Sequence, residues 1–114
     1  SEKGITAGVP TSLASLAVDD CFTSAMRDVQ GRAHTRIAYA DGWETDIWQD
    51  EHLPHTVVFT KRDFPWANPG MHGIAIEPQT CPTNALQTGT DLVWLEPAAE
   101  FEARWGITIH MNTK

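Results

Sequence analysis

From Phe22 onward, apolar and polar positions alternate in short runs, and no window of 11 residues carries a convincing period of 3.6. Ala33 to Ala40 leads into Asp41-Gly42, a dipeptide favoured in two-residue hairpin turns because glycine tolerates positive φ. Trp43 to Gln49 runs back, with Trp43, Thr45 and Ile47 on one face and Glu44, Asp46 and Trp48 on the other, so a hairpin is predicted across Arg36–Ile47. Val57-Val58-Phe59 is an unbroken apolar triplet, suited to a strand covered on both faces. In Gly73-Ile-Ala-Ile-Glu77, Ile74 and Ile76 alternate with small residues, and Pro78 is expected to end the ladder there. Lys61 to His72, with Pro65, Pro69 and Gly70, reads as a loop, and Thr80 to Thr90 is irregular. Asp91–Leu95 and Phe101–Met111 read as a closing antiparallel pair, and Ser1–Val18 as a loop or arm. These elements predict one all-β domain over residues 1–114, part of a large antiparallel β-sandwich.

Composition narrows the partners. Apolar residues make up 41% of the chain, enough for a folded core. The net charge of −7 disfavours nucleic acid and anionic membrane surfaces, both of which call for a cationic footprint. A neutral sugar is indifferent to that field. No apolar run reaches the length of a spanning helix, and Ser1 opens no basic-then-apolar leader. Cys21 and Cys81 are too few for a disulfide framework and read as free thiols of a reducing cytoplasm. His34, His52 and His110 show no metal-ligand spacing.

The chemistry concentrates at Glu77. Pro78 biases this residue toward an extended backbone, which places a carboxylate where an apolar strand is expected to run out. Such a group either caps the strand in solvent or serves as a general base.

The run Gly73-Ile-Ala-Ile-Glu-Pro-Gln-Thr-Cys-Pro-Thr-Asn-Ala85 closely resembles the C-terminal catalytic segment of the aldose 1-epimerases (galactose mutarotases). Three further stretches agree in order: Val18-Asp-Asp-Cys-Phe-Thr23, His55-Thr-Val-Val-Phe-Thr60, and Gly89-Thr-Asp-Leu-Val-Trp-Leu-Glu-Pro97 followed by Phe101–Ile107. The resemblance implies a galactose mutarotase-like supersandwich, with Glu77 as the catalytic base and Asp19 as a sugar-binding carboxylate. It also implies that only the C-terminal portion is present. The family is considerably longer, and its catalytic His belongs to an earlier region. The fold would then be completed by an N-terminal portion of the same protein or by self-association. The implied reaction, exchange of α and β anomers of a free hexose, needs no metal or organic cofactor. Val57 stands where some members carry a sugar-contacting Gln, which leaves substrate choice open.

Other candidates follow from residue type. Phe64 and Trp66 offer flat rings for the C–H face of a pyranose, or else pin their loop to the sandwich. His55 and His72 flank the strand and loop leading to Glu77; His72 is taken as a substrate-binding candidate, with surface packing as the alternative. Gln79, Thr80, Cys81 and Asn84 are placed to orient Glu77. Besides mutarotation, a non-catalytic carbohydrate-binding module and a hexose-phosphate epimerase remain open. The last is disfavoured because Lys61-Arg62 is the only adjacent basic pair.

Overall fold

The computed structural model describes residues 8–63 and 71–112. Phe64 and Trp66 lie outside the described residues. The described residues form six strands: β1 (Asp19–Thr23), β2 (Ala33–Ala38), β3 (Trp43–Gln49), β4 (His55–Lys61), β5 (Gly73–Gln79) and β6 (Trp105–Met111), with one short helix, α1 (Ala85–Thr88). They build two three-stranded antiparallel sheets, β1-β4-β5 and β2-β3-β6, so the protein is all-β and sandwich-like.

The β2–β3 hairpin forms where alternation predicts it, with Thr35 opposite Ile47 and Arg36 opposite Asp46. Its turn is longer than the two-residue form expected from Asp41-Gly42. Tyr39 N–H bonds Trp43 O at 2.8 Å and Gly42 N–H bonds Tyr39 O at 3.1 Å, leaving a three-residue loop. Gly42, at φ 92°, supplies the left-handed residue that this longer loop requires.

β5 corrects a second expectation. It does not stop at Glu77 but pairs through Pro78 and Gln79, opposite Thr56 and His55 of β4. Among the described strands β5 lies at an edge, so a proline nitrogen turned away from β4 costs this ladder nothing. The expected closing pair is also absent. β6 pairs along its full length with β3, from Trp43–Met111 to Gln49–Trp105, while Asp91–Leu95 belongs to no strand.

β4 is the central strand of its sheet, and pairing sorts its residues by face. Val58 points to the buried side and packs with Leu16 and Val18, against partly buried Phe22, Ile74 and Ile76. Val57 and Phe59 point to the other side, where Phe59 stays exposed. The sheets are joined at the β3–β4 corner by Gln49, which is almost fully buried. Its amide Nε2 donates to Leu53 O at 2.8 Å and His55 O at 2.9 Å, and its Oε1 accepts from the Thr56 hydroxyl at 2.9 Å. Beside it the Arg27 guanidinium donates to the carbonyls of Gly31, Asp50 and Leu53 at 2.8–3.1 Å. The corner's carbonyls are thus satisfied without strand pairing.

Candidate functional site

The outer face of the β1-β4-β5 sheet carries the candidate site. Register puts Asp19 opposite Phe59, Val57 opposite Glu77, and His55 opposite Gln79, so all six share one face. Asp19 and Glu77 lie diagonally across β4. Strand spacing and rise set their backbones about 12 Å apart.

After Gln79 the chain leaves the sheet, and the segment from Cys81 to Leu92 rises as a wall over this face. Asn84 (φ 69°) and Gly89 (φ 75°), both left-handed, bracket the single turn of α1, and Gly89 N–H closes it on Ala85 O at 2.7 Å. Ala85 is buried beneath the turn. Between wall and sheet is a broad cleft of about 570 Å³ whose lining includes Asp19, Val57, Phe59, Glu77, Cys81 and Leu92.

The cleft is acidic at two points and apolar between them. Glu77 is exposed, and Gln79 Nε2 donates to its Oε2 at 3.0 Å, which fixes one carboxylate oxygen and leaves the other open. This matches the orienting role assigned to Gln79 from sequence. Val57, Phe59, Pro82, Leu86 and Leu92 supply the apolar lining, and Cys81 adds a half-buried free thiol. Among the described residues no lysine, arginine or histidine lines it.

Asp19 and Glu77 therefore come together, joined by Val57, Gln79, Cys81 and Asn84. His72 does not. It is exposed just before β5, beside a small hollow lined by Leu13, Leu16 and Thr60–Arg62, at the opposite end of the strand from Glu77. Sequence position misled here: a residue five places before Glu77 in an extended strand lies roughly 16 Å away.

Reading the sequence alone left His55 as an open candidate and gave Asp91 no role. His55 is 5% exposed, and its Nε2–H donates to Asp91 Oδ2 at 2.8 Å, tying the far end of the wall to β4. Its Nδ1 is buried without a partner among the described residues. Alternation with Val57 marks the face His55 occupies, but the 36-residue separation from Asp91 leaves no sequence signal for the pair.

A second cluster lies on the β2-β3-β6 sheet, away from the cleft. His34 Nε2 meets Asp28 Oδ2 at 2.7 Å and its Nδ1 meets Asp46 Oδ2 at 2.8 Å, so both ring nitrogens donate when the ring is protonated. The Asp28 bond, opposed by partial burial and assisted by Asp46, raises the His34 pKa above its ordinary value. The same bond to His34 lowers Asp28 to about 2. Among the described residues no group of three His, Cys, Asp or Glu side chains is arranged to hold a metal ion, and no helix is long and apolar enough to cross a membrane.

Fold and site together define an all-β, sandwich-like protein with an open, acidic cleft on one sheet face. Comparisons with known protein families, curated proteins and solved structures returned no match.

Proposed function

We propose that the cleft binds a neutral hexose and that the chain contributes the general base of an aldose 1-epimerase. The observation that carries this reading is the pairing of two carboxylates, Asp19 and Glu77, across an apolar floor, with no cationic side chain among the described lining residues. Such walls repel phosphates and carboxylates. Hydroxyl-rich neutral ligands donate to both acids, while Val57, Phe59 and Leu92 meet their C–H faces. The resemblance of the Glu77 segment to mutarotases points to the same ligand.

In this reading Glu77, held by Gln79, takes the proton of the anomeric hydroxyl as a donor protonates the ring oxygen. The ring opens to the aldehyde, the C1–C2 bond turns, and the ring closes on the other face. Asp19 anchors the ring through its hydroxyls. The donor comes from polypeptide beyond this cleft, an N-terminal portion of the same protein or a second copy. The half-buried thiols of Cys21 and Cys81 fit a reducing, cytoplasmic setting.

The test is anomer exchange in the complete protein, followed by polarimetry or NMR saturation transfer. Glu77→Gln is expected to slow exchange by at least about 10²-fold with sugar binding nearly unchanged. Full activity in that variant removes Glu77 from the mechanism. A second reading, a carbohydrate-binding module without catalysis, is favoured by the absence of a histidine among the described residues of the cleft lining. It predicts sugar-induced chemical shifts at Asp19 and Glu77 with no acceleration of exchange.

A further inference from the structure

Among the described residues, Nδ1 of His55 is the only buried side-chain nitrogen or oxygen without a hydrogen-bond partner. Leaving such an atom unpaired is costly, so its surroundings call for a partner. The other ring nitrogen defines what that partner must be. Nε2 lies 2.8 Å from Asp91 Oδ2, and an ionised carboxylate only accepts. While the ring is neutral its proton therefore sits on Nε2, and Nδ1 is a bare lone pair that needs a donor.

The sheet register names the candidates. On the cleft face His55 stands directly opposite Thr23 of β1 on one side and Gln79 of β5 on the other. Facing Cβ atoms in such pairs lie about 4.5–5.5 Å apart, within reach of a glutamine amide. Nδ1 is closed to water; Gln79 is half-buried, as a partner for it must be, whereas Thr23 is exposed. The Gln79 amide nitrogen carries two hydrogens, and one of them goes to Glu77 Oε2 at 3.0 Å. The second is the donor that Nδ1 lacks.

We propose that His55 is a positioning residue for Glu77, acting through Gln79. In the working site the Gln79 nitrogen lies between imidazole and carboxylate and donates one hydrogen to each. Asp91, His55, Gln79 and Glu77 then form one chain that runs from the wall, across β4, into the cleft. Held through both hydrogens, the amide neither swings off Glu77 nor turns its carbonyl oxygen toward it. The open oxygen of Glu77 keeps a single direction, the one from which a general base reaches the anomeric hydroxyl. Asp91 sets the first link by keeping the imidazole proton on Nε2. The role of the chain rests on the reading of Glu77 as the base; the bond between His55 and Gln79 does not.

The test has two arms. In the full chain, nitrogen NMR of the imidazole rings reads both His55 nitrogens. Nδ1 is expected at the position of an unprotonated, hydrogen-bonded nitrogen. Gln79→Met is expected to move it to that of an unbonded one with Nε2–H unchanged, and Thr23→Val to leave it in place. Neither substituted residue belongs to the core. In the complete protein, anomer exchange separates the roles of the two nitrogens. His55→Asn keeps an acceptor near the position of Nδ1 and gives up the Asp91 bond, while His55→Gln keeps a donor near Nε2 and gives up the acceptor. His55→Gln is expected to lower kcat about tenfold further than His55→Asn, with KM moving less than kcat. A role confined to clasping the wall predicts the reverse order. An Nδ1 signal unmoved by Gln79→Met, one moved by Thr23→Val instead, or a kcat no lower in His55→Gln than in His55→Asn each overturns the proposal. Absence of exchange in the wild type with the Nδ1 response intact sinks the mutarotase reading and leaves the bond standing, so the two failures are told apart.

Discussion

Gly106 offers a sharp test of how β3 and β6 fit together. It stands opposite Trp48, and a Cβ built on it would lie 2.6 Å from Cε2, Cζ2 and Nε1 of the indole. Ordinary carbon contacts begin near 3.5 Å, so Gly106→Ala must displace the ring by about 1 Å. The ring has little freedom to yield, because the Arg32 guanidinium is stacked on it at 3.9 Å from the centroid. Overpacking of this size costs about 1–3 kcal/mol, and losing the cation–π contact adds about 0.5–1. Replacing a strand glycine returns about 0.5–1 kcal/mol through the unfolded chain. The net expectation is a loss of about 1–3 kcal/mol, or a fall in Tm of roughly 5–15 °C for a domain of this size. Thermal unfolding followed by far-UV CD at fixed protein concentration measures it. The decisive comparison repeats Gly106→Ala in a Trp48→Val background, where the space is open and the change should be neutral or slightly stabilising. Equal cost in both backgrounds refutes the steric argument.

The other expectations can be checked with the same equipment. Gln49→Leu removes the buried amide from the His55 carbonyl and the Thr56 hydroxyl, while Leu53 O keeps its bond from Arg27; a loss of about 1–3 kcal/mol is expected by urea titration. The bonds of His34 give a pH window. Its raised pKa makes the stabilisation full below 6.5 and lost as pH climbs through the folded value. The lowered pKa of Asp28 makes the same contact full above 3.8 and lost as pH falls toward about 2. Stability curves of wild type and His34→Asn should therefore lie furthest apart between those limits and converge on the alkaline side; a constant separation up to pH 9 would sink the assignment. Asp19→Asn should weaken hexose binding several-fold by NMR titration and leave Tm nearly unchanged, since the side chain is exposed at the cleft rim.

Legibility in the sequence followed the range of the forces involved. The Trp43–Gln49 alternation revealed its strand and both faces because period-two burial is a local signature. Asp19, Val57 and Glu77 lie far apart in the chain, yet the family resemblance grouped them and the antiparallel register sets them on one face. The end of β5 was misjudged because a proline stops a ladder only on the side where its nitrogen points, and edge position is a property of the whole sheet. Asp91–Leu95 has strand composition, but Asp91 adopts φ 51° and is held by His55, while Leu92 turns into the cleft. Here a distant tether overrides local propensity. His72 was misplaced because nearness in sequence was taken for nearness in space.

The wall over the cleft consists of a connecting stretch, from Cys81 to Leu92, that no ladder depends on. Among the described residues, the buried side chain of Ala85 and the His55–Asp91 contact tie it to the rest of the molecule. Insertions or exchanges within it would leave both carboxylates standing on unaltered strands while remoulding the chamber above them. If the cleft takes a ligand as proposed, its preference is set by a stretch that can change without altering the strands carrying the two carboxylates.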